Sequence, residues 1–295
     1  MGKIVSYAQN SEDVVLARAL SAVSEGFYLE IGANDPNLYS VSRSFYDRGW
    51  SGLCVEPDPS FAERFRAERP RDDVLQAVIS DSTDSTATLY LIPDSGLSTI
   101  VSDLAEEHAA RGFAVEPITV ASFTLTDAVR NAGLIDREIH FAVIDTEGSE
   151  LAVLRSIDFT LVRPWILVIE ATAPLSTRKV HEAWEQLVLN AGYSFCLFDG
   201  LSRFYVDAIR HPELVEPTSY PAGVFDDYIS VVNASLAAKA QSAEQRARDA
   251  DEQLDAMKAS RSWRFTAPLR AIGRVFRRSP RPSESDNTNP TTAAD

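Results

Sequence analysis

Short runs of apolar residues recur along the first 234 residues, and amphipathic stretches separate them. We expect strands at 27–31, 52–56, 74–79, 87–92, 115–122, 140–145, 165–171, 194–198 and 203–206. Helical patterns lie between them at 40–48, 60–69, 125–131, 149–157 and 180–191. Such alternation is typical of a parallel sheet covered on both faces, so the pattern predicts a doubly wound α/β fold over residues 1–234.

The last two apolar runs are separated by a polar turn that contains Asp199 and Gly200. A turn of this composition between two strand-like runs favours an antiparallel hairpin. We therefore expect a mostly parallel sheet that is closed at its carboxyl-terminal end by a hairpin.

The hydrophobic pattern changes after residue 234. Apolar residues at 236, 240, 243, 247, 250, 254 and 257 alternate in steps of four and three, which is a heptad seam made largely of alanine. This predicts an Ala-rich helix at 235–258, which could dock on the surface, pair loosely in a homo-oligomer or remain solvated alone. The segment 259–282 interleaves Arg with aromatic residues, and 283–295 is rich in Pro, Ser, Thr and Asn, which predicts disorder.

The net charge of -15 argues against a nucleic-acid partner, because phosphates would be repelled. The charge of 259–282 has the opposite sign, so this segment could contact an anionic membrane surface or an acidic partner protein, or remain solvated. Cys54 and Cys196 lie in apolar runs, which favours reduced thiols. We expect a cytoplasmic protein, at most attached to the inner face of the membrane, since no apolar run suits a signal peptide or a membrane span.

Acidic residues and one glycine follow the first strand of the predicted sheet. In open parallel sheets, ligands bind beyond the carboxyl ends of the strands. Gly32 would let the main chain approach a ligand closely, and Glu30 or Asp35 would offer a carboxylate to an ammonium group. A pyrophosphate would instead need several glycines and no nearby acid. This turn, which includes Asn34, is therefore a poor dinucleotide site.

The next two strands also end in polar residues. Glu56 ends the second strand, where a carboxylate can accept hydrogen bonds from both ribose hydroxyls. Ser80 and Asp81 follow the third strand, where a small polar side chain could meet an adenine edge. Each residue taken alone could merely solvate a strand end, but acids in register at successive strand ends favour a binding site.

Five sequence motifs together resemble the FkbM family of methyltransferases. They are YLEIGANDP at 28–36, GWSGLCVEP at 49–57, IDTEGSE at 144–150, SYAQNSED at 6–13 and VFDD at 224–227. The resemblance implies a class I methyltransferase fold, Rossmann-like, with a seven-stranded, mostly parallel sheet and a closing hairpin. It also implies the cofactor S-adenosylmethionine, with Glu30 and Gly32 at its methionine end, Glu56 at the ribose and Asp81 near the adenine.

One position departs from the pattern of this family. Its members often carry Lys two residues before the Asp of the fourth strand, and this chain has Val143 there. If that Lys contributes to chemistry or substrate placement in relatives, this protein uses other groups or a different acceptor.

Candidate catalytic residues follow the fourth strand. A hydroxyl acceptor must lose its proton during methyl transfer, and a nearby carboxylate would help. We take Asp145 as the first candidate base and Glu147 as the second, although Glu147 could also be an acid favoured by the helix dipole. Glu170 and His181 could line an acceptor pocket. The histidines show no metal-ligand spacing, so no metal site is evident, although Asp145 and nearby acids leave a Mg-dependent mechanism open.

The functional hypothesis is O-methylation of a sugar hydroxyl in bacterial surface glycan or secondary-metabolite biosynthesis. The segment SRSWRFTAPLR at 260–270 resembles a tail on bacterial enzymes that build surface polysaccharides, which adds a glycan-assembly partner as a candidate. Two alternatives remain: a non-catalytic cofactor-binding or scaffold protein of such an assembly, and an NAD-dependent enzyme on a similar sheet.

Overall fold

The computed structural model describes residues 4–266 and 268, in two units, Met1–Ala234 and Ser235–Asp295. Its strands are β1 (Ile4–Ser6), β2 (Phe27–Ile31), β3 (Ser51–Val55), β4 (Asp73–Leu75), β5 (Val78–Ile79), β6 (Thr86–Leu91), β7 (Glu116–Phe123), β8 (Phe141–Ile144), β9 (Ile166–Glu170), β10 (Ser194–Phe198), β11 (Ser202–Val206) and β12 (Tyr228–Ser230). Its helices are α1 (Glu12–Ala19), α2 (Arg43–Tyr46), α3 (Pro59–Glu68), α4 (Ser102–Ala110), α5 (Leu125–Asn131), α6 (Glu150–Arg155), α7 (Glu185–Asn190), α8 (Val215–Thr218), α9 (Val231–Ala259) and α10 (Arg261–Phe265).

The main sheet, as far as the described residues show, has seven strands in the order β10–β11–β9–β8–β2–β3–β4. Within this sheet, neighbouring strands pair in parallel through β9, β8, β2, β3 and β4. Strand β11 runs antiparallel to both of its neighbours, β9 and β10. The predicted α/β fold is confirmed, and the sheet is mixed because of β11. Since the chain reverses its winding direction between β2 and β8, their carboxyl ends form the place where open α/β sheets bind ligands.

Both faces of the main sheet are buried. Alternate strand residues pack into a core with α5, α6 and α7 on one face, and the intervening residues pack with α1, α2 and α3 on the other. Leu29 and Tyr28, for example, are adjacent in β2 but belong to opposite cores. Each fully buried Leu, Ile, Val or Phe stabilises the fold by ~1.5–3 kcal/mol relative to an exposed position.

Local capping defines where several helices begin. The Asp58 side chain accepts a hydrogen bond from Ser60 N at 2.8 Å, and Pro59 occupies the first helical position of α3. At α5 the hydroxyl of Thr124 accepts from Asp127 N at 3.0 Å. These residues satisfy amide groups that the first helical turn leaves without partners.

The predicted strand at 74–79 was wrong as a single strand. The chain turns at Gln76, where Ala77 N donates to the Leu75 carbonyl oxygen at 3.1 Å. Residues before the turn belong to β4 of the main sheet, and those after it to β5 in a separate sheet of order β5–β7–β6. An apolar run therefore marked two strands without revealing the turn between them.

Two predicted helices are shorter than their patterns suggested. The expected helix at 40–48 is reduced to α2, because Ser40 and Ser42 donate their hydroxyls to Glu30 instead of continuing a helix. The expected helix at 180–191 is interrupted at Trp184, whose side chain is buried, and continues as α7. The elements β1, α1, α4, α8 and β12 have no counterpart among the expected strands and helices.

The second unit is described by itself. Helix α9 contains the range 235–258 that was expected to be helical, and none of its residues is buried. Within the expected segment 259–282, α10 begins after Ser260, whose hydroxyl accepts from Trp263 N at 3.3 Å. Residues 267 and 269–282 of that segment, and the expected disordered tail at 283–295, lie outside the described residues. Among the described residues, no helix has the length and apolar character needed to cross a membrane.

Candidate functional site

The turn after β2 is fixed by main-chain contacts to its two neighbouring strands. Gly32 N and Ala33 N both donate to the Val55 carbonyl oxygen, at 3.0 and 3.1 Å. Gly32 has φ +79°, and a Cβ there would lie 1.7 Å from the Asp145 carbonyl oxygen. Glycine is thus required at position 32 because this turn packs against the end of β8. This requirement is stronger than the one expected from the sequence, which was close approach of the main chain to a ligand.

Glu56 connects the turns that follow β2 and β3. Its Oε2 accepts from Asn34 N at 2.6 Å, and its Oε1 accepts from Asp58 N at 2.7 Å. The side chain is buried, which raises its pKa to about 7, although the two amide donors oppose that rise. Asn34 itself has a left-handed backbone with φ +53°, so Glu56 holds an unusual main-chain turn in place.

Glu30 points away from the turn into a buried polar cluster. It accepts from Ser42 N at 3.2 Å and from the hydroxyls of Ser40 and Ser42, and Arg69 Nη1 lies 3.9 Å from its Oε2. Burial raises the pKa of Glu30, and the charge of Arg69 opposes that effect. Asp35 is engaged elsewhere, since Arg64 Nη1 donates to it at 2.7 Å.

Arg69 is the centre of this cluster and was missed in the sequence. Its side chain is fully buried, and its Nε donates to Asp72 at 2.7 Å. Its Nη2 donates to the hydroxyls of Tyr28 and Ser42, at 2.8 and 2.6 Å. An Arg at the end of an amphipathic helix looks like a surface residue in sequence, so no local signal could have placed it here.

The segment after β8 forms a strained turn. Glu147 has φ +50° and the following Gly148 has φ +98°. The Glu150 carboxylate accepts from Thr146 N and Gly148 N, both at 3.1 Å, and Thr99 Oγ1 donates to the Glu147 carbonyl oxygen at 2.9 Å. A left-handed non-glycine residue is costly, and such strain is found mainly where a function requires the geometry.

Three carboxyl groups with raised pKa values meet beside this turn. Burial, with the neighbouring charge of Glu150, raises the pKa of Asp145 to about 6, while a hydrogen bond with Glu170 opposes the rise. Burial and then Asp145 raise the pKa of Glu147 to about 9 and that of Glu170 to about 12. At neutral pH, Asp145 is therefore ionised while Glu147 and Glu170 retain their protons.

Two cavities share these residues. The smaller, of about 580 Å³, includes Glu56 and an apolar wall formed by Phe61, Val78, Ile79 and Leu89. The larger, of about 1130 Å³, is lined by further groups that include Glu30, Glu170, Gln9 and Thr172. Gly32, Asn34, Gly96, Asp145 and Glu147 line both. The site therefore consists of two adjoining compartments, with Asp145 and Glu147 at their junction.

Some expected site residues lie elsewhere. Ser80 and Asp81 are not among the residues that line the smaller cavity. Ser80 Oγ accepts from Ser82 N at 3.1 Å, and Asp81 lies 3.8 Å from Arg155. Their contact with a cofactor thus stays a prediction, and the apolar wall was missed because its members belong to separate elements. His181 is not among the residues that line the larger cavity.

Among residues 4–266 and 268, no group of three or more His, Cys, Asp or Glu side chains is arranged to hold a metal ion. Cys54 and Cys196 are free thiols.

The chain was compared with known proteins. The family model described as "Methyltransferase FkbM domain" matches residues 30–195, which include both cavity-forming turns. A solved structure titled as a TehB-like SAM-dependent methyltransferase from Corynebacterium glutamicum is similar over 65% of this chain and 86% of its own, at 12% identity and a TM-score of 0.35. No curated protein matches this chain.

Proposed function

The chain belongs to the FkbM methyltransferase domain family, and on that premise we propose that it transfers a methyl group from S-adenosylmethionine to a hydroxyl group of a sugar-like acceptor. The observation that carries this proposal is the pair of adjoining cavities that share Asp145 and Glu147. Such an arrangement suits a reaction in which a bound cofactor meets a second substrate. The strand order, with β11 antiparallel inside the sheet, supports the class I methyltransferase fold.

The smaller cavity has the chemistry that S-adenosylmethionine requires. Its apolar wall suits the faces of an adenine ring, and Glu56 offers carboxylate oxygens to ribose hydroxyls. The turn at Gly32 and Asn34 would hold the methionine end, while Glu30 lines the adjoining cavity. When bound, this cofactor supplies a methyl group on a sulfonium sulfur, and that sulfur keeps the bonding electron pair when the methyl group leaves.

Asp145 is suited to take the proton of the acceptor hydroxyl. Its pKa of about 6 leaves it ionised at neutral pH, whereas the raised pKa values of Glu147 and Glu170 keep those groups protonated. As the acceptor oxygen gains its bond to the methyl carbon, it loses its proton to Asp145. Much of the remaining rate acceleration comes from alignment of the two reactants within adjoining compartments.

The biological setting forms the finer part of the proposal. The polar lining of the larger cavity, with Gln9, Thr172 and Ser176, supports a polyhydroxylated acceptor from bacterial glycan or secondary-metabolite assembly. The basic and aromatic segment 259–282 would bring the enzyme to a glycan-assembly partner or to an anionic membrane surface.

Incubation with radiolabelled S-adenosylmethionine and a panel of nucleotide sugars and lipid-linked glycans tests this proposal. We expect label in an acceptor, and we expect Asp145→Asn to lower kcat by a factor of about 10² to 10⁴. Asp136→Asn, at an exposed position, serves as the matched control and should keep full activity. Cofactor binding without transfer to any acceptor would instead favour a non-catalytic scaffold protein.

A further inference from the structure

We propose that the acceptor carries a protonated amine, which the larger cavity binds through Glu147 and Glu170 beside the reacting hydroxyl. This inference rests on the proposed methyl transfer and deepens it by naming a substrate class, an amino sugar or a similar amino alcohol. It is carried by the carboxyl groups and the unpartnered oxygens of the cavity wall.

The wall of the larger cavity is acidic and has no basic partner of its own. Four carboxyl groups line it, those of Glu30, Asp145, Glu147 and Glu170. None of the described residues that line it is Lys, Arg or His. The side chain of Arg69, which is not among the lining residues, approaches Glu30 alone of these four carboxyl groups. The other three therefore lack a compensating cation from the described part of the chain.

Two oxygen atoms of this wall have no hydrogen-bond partner. Within the described residues, these are Glu170 Oε2 and Glu147 Oε2. The side chain of Glu170 lines the larger cavity although only 7% of this residue is exposed. A buried acceptor without a donor costs ~1–3 kcal/mol, and a donor on a bound ligand would recover that energy.

An ammonium group fits these requirements better than a metal ion does. It offers up to three N–H donors together with its charge, as the ammonium of Lys does, and can therefore bond to separately placed carboxyl oxygens. A metal ion would need the ligands to converge, and the described residues hold no such group. The cofactor does not replace this cation, since its own net charge of about +1 balances no more than the single ionised Asp145.

The protonation of the wall supports the same inference. Without a cation, Glu147 and Glu170 keep their protons at neutral pH, because burial and the neighbouring Asp145 raise their pKa values to about 9 and about 12. A bound ammonium would favour the ionised carboxylates and expel protons into solution. Amine binding should therefore be accompanied by proton release.

Calorimetry at saturating S-adenosylhomocysteine tests the proposal with three probes, glucosamine, glucose and N-acetylglucosamine. We expect glucosamine to bind at least about tenfold more tightly than the other two, which lack the charged amine. We also expect its apparent binding enthalpy to differ between phosphate and Tris buffers at one pH, as proton release requires. Equal affinities for the three sugars, or glucosamine binding without proton release, would overturn the inference.

Variants locate the amine site. Glu170→Gln keeps the shape of the side chain but cannot ionise, and Val143→Lys places a cation in the same wall. Both should reduce the glucosamine preference at least about fivefold, whereas Glu182→Gln, an exposed control, should retain it. An undiminished preference in both wall variants would sink the proposal, as would a requirement for MgCl₂.

The same titrations separate this inference from the function on which it rests. A wild-type protein that fails to bind S-adenosylhomocysteine contradicts the proposed methyl transfer itself. Binding of S-adenosylhomocysteine with no preference for glucosamine contradicts the amine site alone.

Discussion

Gly32 lies so close to the main chain of Asp145 that a Cβ at position 32 would come within 1.7 Å of the Asp145 carbonyl oxygen. The two residues are far apart in sequence but end adjacent parallel strands, β2 and β8. Their contact joins the turn that we propose for the cofactor to the residue that we propose as the base. In that proposal, main-chain packing sets the distance between methyl donor and proton acceptor.

Replacement of Gly32 should disrupt this junction. Gly32→Ala places a Cβ against main-chain atoms that cannot move away, in addition to the cost of a left-handed backbone. We expect a loss of ~3 kcal/mol or more in the free energy of unfolding, measured by urea denaturation, together with weaker binding of S-adenosylhomocysteine.

Gly112→Ala is the matched control for that experiment. Gly112 has φ +92°, but nothing lies within 4 Å of a Cβ built there. Gly112→Ala should therefore lower the free energy of unfolding by only ~1–2 kcal/mol, which is the cost of a left-handed backbone for a residue with a Cβ. Equal losses in the two variants would show that the contact with Asp145 does not matter.

The sheet was predictable because its strands are buried on both faces, so that apolar runs stand out against the amphipathic helices. The residues of β9, Ile166–Glu170, are all buried and were recognised in this way. Helix α1 was missed for the opposite reason. Nearly all of its residues are buried, including Glu12 and Asp13, so it shows no polar stripe of helical period.

The buried cluster around Arg69 should be essential for stability. Arg69→Met leaves Asp72 and Glu30 as buried carboxyl groups without their cation. We expect a loss of about 3–5 kcal/mol in the free energy of unfolding, measured by urea denaturation. Arg66→Met, at an exposed position of the same helix, should change it by less than about 0.5 kcal/mol. Similar values for the two variants would contradict the role given to Arg69.

The stability of the protein should fall as pH rises. The pKa of Glu147 is raised from 4.5 to about 9, so the folded state binds this proton more tightly than the unfolded state. The contribution of Glu147 to the free energy of unfolding is therefore complete below its pKa in the unfolded chain. It is lost as pH rises through the pKa of Glu147 in the folded protein. Without cofactor, wild-type thermal stability should therefore decline from about pH 5 to about pH 9 more steeply than that of Glu147→Gln.

The control for this pH series is Glu182→Gln, which changes an exposed Glu. Its stability should follow the wild-type curve over the whole pH range. If the stability curve of Glu147→Gln also coincides with that of the wild type, the pKa of Glu147 is not raised in the folded protein.

The rate of methyl transfer should depend on the ionisation of Asp145. A base acts only when deprotonated, and kcat/KM reports the pKa of the free enzyme. Since that pKa is about 6, kcat/KM should rise with pH through this value and level off above it. Steady-state kinetics between about pH 5 and about pH 8 would show the rise, and a flat profile would exclude Asp145 as the base.

The candidate site was only partly predictable. Gly32, Glu56 and Asp145 could be found because parallel strands bring their carboxyl ends to one edge of the sheet, so the position along the chain implies the position in space. The hydrogen bond between Asp145 and Glu170 and the burial of Arg69 depend on packing between distant segments, which no local pattern encodes. The same holds for the apolar cavity wall, whose members belong to separate elements.

The cofactor is identified by calorimetric titration with S-adenosylhomocysteine and with NAD, using wild type, Glu56→Gln and the exposed control Glu63→Gln. We expect one S-adenosylhomocysteine site per chain, no NAD binding, and a loss of at least about tenfold in affinity in Glu56→Gln alone, because Glu56 supplies the carboxylate acceptor for the ribose. Binding of NAD instead of S-adenosylhomocysteine, or equal S-adenosylhomocysteine affinity in all three proteins, would contradict this expectation.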